Sequence, residues 1–197
     1  MLLIRFALKN NVAFFSLVII GMETTKNKLS ENAEQFFQEL SSYLETPLYF
    51  YGSVQRNDYF PGNSDIDVDI FTSNESSLIT KMQHFLHVKR ADFKKFVWRL
   101  NGNNKVIYGY KIMYKNPDSG FNTEFSIYNE KIKYDILKEH NNKTVMPFYI
   151  TWLLVILKII YYNLHFIDKK TFRYLKKKLL TSGIGLPDDD FVVIDPK

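Results

Sequence analysis

The stretch YFYGSVQRNDYFPGNSDIDVDIF, residues 49–71, decides how the rest of this chain is read. Leu48, Tyr49, Phe50 and Tyr51 form an apolar run that stops at Gly52, where a missing Cβ lets the backbone approach another group closely. Ser53 follows with a hydroxyl and a backbone N–H, a pair suited to cradling a phosphate. Residues 57–64 carry turn chemistry throughout. Beyond them Asp65-Ile66-Asp67-Val68-Asp69-Ile70 has the period of two of a strand, which puts Ile66, Val68 and Ile70 on one face and three aspartates on the other. Carboxylates about 6–7 Å apart on one strand face repel each other unless a cation is shared among them. Hard oxygen donors favour magnesium or manganese. The plainer alternative is a solvated edge strand with three surface aspartates. Aspartate is depleted in strands and this strand is otherwise apolar, which weighs against it.

Gly52-Ser53, eleven intervening residues and then Asp65-Ile66-Asp67-Val68 resemble the signature of the polymerase-beta-like nucleotidyltransferase superfamily. The motif covers about a tenth of the chain, and both halves agree in spacing. Ser64 before Asp65, and Arg56 after the Gly-Ser, also resemble common choices in that family. The resemblance implies that Asp65 and Asp67 hold two divalent ions, magnesium or manganese. It further implies that Gly52 and Ser53 bind the phosphates of a nucleoside triphosphate, ATP among them. Arg56 is then the first candidate for a further triphosphate contact. Asp69 lies outside the motif, and its alternation makes it an outer ligand or a residue behind the ligands. The implied fold is α+β: a mixed sheet with helices on one face and carboxylates on the other, plus C-terminal helices.

Composition narrows the remaining classes. At 197 residues the chain is long enough for one domain with a helical appendage. A formal charge of +5 suits a polyanion or a nucleotide without singling out either. The absence of cysteine excludes a disulfide scaffold, a cysteine nucleophile and a thiolate zinc site, and fits a reducing, intracellular compartment. Residues 1–21 are apolar with Arg5 and Lys9 interspersed, and the run 12–20 is too short to span a bilayer. Met22 and the polar residues after it mark an alternative start, which with a loosely packed N-terminal arm is preferred to a membrane anchor.

The elements are expected in the following order. Ser30 caps a helix whose Ala33, Phe36, Phe37, Leu40 and Leu44 share a face until Pro47 stops it. Residues 72–74 cap a second helix carrying Leu78, Ile79, Met82, Phe85 and Leu86. His84 and His87 on it are too few to argue for a metal. Residues 96–100, 106–114 and 121–128 then read as an antiparallel meander. On its third strand Glu124 points away from Phe121, Phe125 and the rest of the apolar face. Two-metal nucleotidyl transfer needs a third carboxylate on a neighbouring strand, to serve the catalytic metal and take the acceptor's proton. Glu124 matches that position best, ahead of Asp118 in a turn, with a surface glutamate as the plainer alternative.

After a polar break at residues 141–143, residues 145–162 form the most apolar stretch, and Lys158 within it favours a buried helix over a membrane span. Residues 169–180 form a basic helix, either a solvated face or a path for a polyanion. The expected organisation is an N-terminal segment (1–21), a catalytic domain (22–140), a helical extension (141–182) and a looped, exposed tail (183–197). The function this implies is metal-dependent transfer of a nucleoside monophosphate to a hydroxyl acceptor, with release of pyrophosphate. The acceptor is open between a small molecule, a protein and a nucleic acid, and membrane association is disfavoured. The alternatives are a catalytically degenerate, nucleotide-binding member of the same fold, and a membrane-associated or partner-docking protein built on the apolar segments.

Overall fold

The structure is a computed structural model and describes residues 22–100, 104–118, 120–184 and 191–194. The expectations for residues 1–21 lie outside the described residues. So do those for 101–103 and 119 in the meander turns and for 185–190 and 195–197 in the tail.

The chain opens on α1 (Glu31–Leu44), where the Ser30 side chain accepts from the Ala33 N–H, and ends that helix at Glu45 in the left-handed region. β1 (Tyr49–Tyr51) follows, and then a short 3-10 turn, Gly52–Gln55. β2 (Ile66–Thr72) leads to α2 (Glu75–Leu86), whose Asn74 cap accepts from the Ser77 N–H. β3 (Lys94–Arg99), β4 (Val106–Lys115) and β5 (Asn122–Asn129) are the expected meander. Three helices close the fold: α3 (Lys133–Thr144), α4 (Phe148–Lys158) and α5 (Lys169–Ile184).

The sheet has the order β1-β2-β5-β4-β3-β6, where β6 (Phe191–Ile194) pairs with β3. Only β2 and β5 run parallel, the remaining neighbours being antiparallel. On one face Ile66, Val68 and Ile70 of β2 meet Phe125 and Ile127 of β5, and α1 and α2 cover them with Phe37, Leu40, Ile79 and Met82. Each such fully buried side chain contributes about 1.5–3 kcal/mol, so this layer is the main source of stability. The opposite face carries the carboxylates. Its lower part is covered by Ile136 and Leu137 of α3, which pack on Phe71, Phe96 and Tyr128.

Three expectations are corrected here. The polar residues 141–143 do not break the chain but lie inside α3, so the expected boundary at residue 140 cuts a helix. The tail is not wholly a loop, because residues 191–194 supply an edge strand. The apolar stretch 145–162 is not one buried helix. Its α-helical part packs on α5, buries Ile150, Leu154, Leu157 and Lys158, leaves Phe148 and Trp152 in solvent, and then widens into a π turn, Ile159–Asn163. Among the described residues no single helix is long and apolar enough to cross a membrane. Only α3 and α4 taken with their flanking turns reach that length, and they are bent by 82°.

Lys158 explains why a cation sits in that apolar helix. It is 1% exposed and its Nζ donates to the Asp58 backbone carbonyl, to Asp58 Oδ2 at 3.1 Å and to Ser64 Oγ at 3.2 Å. Asp58 is itself fully buried and also takes Arg56 Nε at 2.8 Å and Nη2 at 3.3 Å. Burial alone would raise the Asp58 carboxyl, but Arg56 and then Lys158 hold it below the ordinary carboxylate value. The loop between the two halves of the motif is therefore pinned from inside by a residue about a hundred positions away. Removing one partner of a buried ion pair leaves an uncompensated charge, at a cost of about 3–5 kcal/mol. Lys158→Met should accordingly lose stability of that order in urea denaturation. A loss no larger than that of an exposed lysine, such as Lys170→Met, would show that the loop does not depend on this clamp.

Candidate active site

Gly52 ends β1 with φ +69°, a conformation that L side chains rarely adopt, and a Cβ built there would overlap Asp67 Oδ2. Glycine is thus required for two reasons, the turn and the approach of the neighbouring carboxylate. Ser53 follows in the buried 3-10 turn.

The three aspartates share a face but differ in depth. Asp65 is exposed just before β2, Asp67 is half-buried, and Asp69 is fully buried. The parallel pairing of β2 with β5 sets Asp67 opposite Glu124, and the antiparallel pairing with β1 sets it opposite Tyr51. Burial first, then the Glu124 charge and more weakly that of Asp65, push the Asp67 carboxyl up to about 7; Lys176 and Arg56 pull the other way. Asp69 does not join this group. Its Oδ2 lies 2.7 Å from Nε2 of His140 on α3, its Oδ1 has no hydrogen-bond partner, and burial raises its carboxyl despite the histidine.

The structure places the predicted residues unequally. Gly52, Asp67 and Glu124 come together across β1, β2 and β5, and the charge of Asp65 reaches Asp67 from just before β2, while Ser53 follows Gly52 in the chain. Arg56 is adjacent, but two of its guanidinium nitrogens are spent on Asp58, so it braces the loop instead of standing free for a triphosphate. Glu124 is ion-paired with Lys111 of β4 at 2.6 Å. Among the described residues no three His, Cys, Asp or Glu side chains are grouped closely enough to hold a metal ion. Asp65 and Asp67 are a pair of hard oxygen donors on one face, and that pair fits a divalent cation such as magnesium or manganese.

Four residues bear on the site in roles that the sequence does not reveal, although Lys158 is noted there as a sign of burial and Lys176 lies within the basic helix. His140 pairs with Asp69, Lys111 with Glu124, and Lys158 with Asp58, and Lys176 of α5 acts on both Asp67 and Lys158. Lys158 and Lys111 carried a signal as lone cations in apolar segments. His140 carried none. Lys176 belongs to the basic helix already noted, and the structure selects it from among that helix's cations, the exposed Lys169, Lys170 and Arg173 included.

A cleft of about 230 Å³ is lined by Tyr51 and Gly52 at the end of β1 and by Lys111, the ion-pair partner of Glu124. One wall is a run of roughly parallel rings in which Tyr51 stacks on His140 at 4.0 Å and His140 faces Trp98 at 6.3 Å. Phe96, Ser126 and Tyr128 form the floor.

A family model described as "Nucleotidyltransferase domain" matches residues 30–186, most of the chain. No curated protein matches the chain in sequence. Among solved structures, one reported as the Cid1 poly(U) polymerase crystal structure is similar at 15% identity with a TM-score of 0.36. The similarity covers 75% of this chain and 46% of that one, so this chain spans less than half of that protein's length.

The raised Asp67 carboxyl has a consequence for stability. An unfolded aspartate titrates near 3.8 and the folded one near 7, so folding favours the protonated form. That contribution is fully present below the unfolded value and is lost as pH rises through the folded one. In buffer with a chelator the melting temperature should fall between roughly pH 4 and pH 7, and Asp67→Asn should flatten most of that fall. An unchanged slope in the Asn variant would show that the repulsion around Asp67 is relieved elsewhere.

Proposed function

Since the chain belongs to the nucleotidyltransferase domain family, we propose that it transfers a nucleoside monophosphate from a nucleoside triphosphate, ATP included, to a hydroxyl acceptor. The observation that carries this is the in-register apposition of Asp67 and Glu124 on the parallel strands β2 and β5, with Gly52 closed against Asp67. Magnesium or manganese held by Asp65 and Asp67 would supply charge neutralisation for the attacking and leaving oxygens.

The chain's own residues account for the remainder. Gly52 and Ser53 offer backbone and hydroxyl to the triphosphate, and Lys176, whose charge already reaches Asp67, supplies the cation that Arg56 cannot. Glu124 takes the proton of the acceptor hydroxyl as its oxygen bonds to the α-phosphorus and the bond to the β-phosphate oxygen breaks, so that pyrophosphate leaves. Lys111 holds the Glu124 carboxylate in place from β4. The Asp69–His140 pair ties β2 to α3 on the same face. The Glu124–Lys111 ion pair also favours a second reading, a member that binds nucleotide without transferring it, because it occupies the base.

Two variants separate these readings. Asp65→Ala with Asp67→Ala should abolish divalent-dependent ATP binding in titration calorimetry while leaving the fold intact, because neither side chain is in the core. Glu124→Gln should keep that binding and lower pyrophosphate release about a hundredfold or more, the usual cost of losing a general base. Release equal to wild type would remove Glu124 from the mechanism. Intact binding with no release from the wild-type protein across the four triphosphates and manganese would select the second reading.

A further inference from the structure

We propose that α4 is the interface of a twofold dimer, in which its outward face packs against the same face of a second copy of this chain. This holds whatever reaction the site performs. α4 is apolar on every side, a composition that belongs to a helix with no face in water. One side meets that requirement: Ile150, Leu154, Leu157 and Lys158 are buried, and α5 comes so close that a Cβ at Gly183 would overlap Ile150. The other side does not. Phe148, Tyr149, Trp152, Leu153, Ile156 and Ile159 are all exposed, Phe148 by 76% and Trp152 by 64%. At the helical 3.6 residues per turn these six fall within one arc of about 140°. Lys158, the one charge on the helix, lies outside that arc and is turned in to Asp58. Single exposed apolar side chains are ordinary, but more than half of the large ones exposed among the described residues fall between residues 145 and 166.

Area, charge and spacing together select a second copy as the occupant. With aromatic side chains of about 150–250 Å² each, scaled by their exposure and joined by their aliphatic neighbours, the stretch 145–159 presents roughly 900 Å². The largest apolar patch of an ordinary monomer is about 300–600 Å². Each partner in a stable complex buries about 800 Å², so the face matches one half of such an interface. A twofold contact sets a surface against itself, where any charge meets its like; the α4 face carries none. Elsewhere the chain is cationic, with a formal charge of +5 and exposed Lys169, Lys170 and Arg173 on α5, a surface that repels its own copy. Tyr149, Trp152, Ile156 and Ile159 recur at intervals of three, four and three, the seam of two paired helices. About a twofold axis between Trp152 and Ile156, antiparallel seams bring Trp152 of one copy against Ile156 of the other, and Tyr149 against Ile159, a ring on an aliphatic side chain each time. A lipid surface sets no such spacing.

Sedimentation velocity on the full chain over a concentration series tests this. Wild type should pass from monomer to dimer in the micromolar range. Trp152→Glu, which sets a charge in the seam of both copies, should raise the dimer dissociation constant about thirtyfold or more, the effect of losing an interfacial hot spot. Tyr174→Glu, at an equally exposed aromatic on α5, should leave it unchanged. Because the chain has no cysteine, an equal mixture of Tyr149→Cys and Ile159→Cys chains gives a second readout. Under mild oxidation the mixture should form a disulfide-linked dimer faster than either variant alone. Wild type that stays monomeric at submillimolar concentration, a dimer that Trp152→Glu leaves intact, or a mixture that links no faster than its components would overturn the proposal. For a monomeric wild type, pelleting with phosphatidylserine vesicles would assign the face to a lipid surface, and a lower urea midpoint of Trp152→Glu would assign it to a segment of the same chain.

Discussion

The parallel pairing of β2 with β5 is the constraint on which the other features of this protein depend. It brings two segments more than fifty residues apart into register, so that Ile66, Val68 and Ile70 line up with Thr123, Phe125 and Ile127 on one face. The same register places Asp67 beside Glu124 on the other. A slip of one residue would exchange the two faces, putting the carboxylates into the layer that α1 and α2 cover. Core packing and site assembly are thus a single event, and the apolar face enforces the polar one.

That arrangement concentrates negative charge where the protein shields it poorly from itself. Asp67 rises to about 7 under burial and the nearby Glu124. The fold answers from separate elements: the cations Lys111 of β4 and Lys176 of α5, and the His140 imidazole of α3 hydrogen-bonded to Asp69. Residual repulsion at Asp65 and Asp67 is tolerated because folding draws its stability from the opposite face. Strain of this kind is typical of sites prepared for a charged ligand.

The C-terminal helices are part of this device and not an appendage to it. Lys158 of α4 reaches into the loop between Gly52 and Asp65 and neutralises its buried Asp58, while Asn57 and residues 61–63 of the same loop stay exposed. A buried pair of this kind is weak evidence of net stabilisation, but it fixes one loop conformation among many.

By itself the sequence determined the local features: the caps of α1 and α2, the meander, the two-faced alternation of β2, the turn at Gly52 and the family that Gly52-Ser53 and Asp65-Ile66-Asp67 announce. These depend on periodicity and on neighbours a few residues apart, which local reading captures. Only the tertiary structure decided which of three equivalent aspartates lies at the surface, that Arg56 braces a loop, that residues 141–143 continue a helix, and that His140, Lys158 and Lys176 matter at all. The physical reason is range. A cation's role depends on which carboxylate the fold brings within about 3–4 Å of it, and no pattern along the chain records a partner seventy or a hundred residues away.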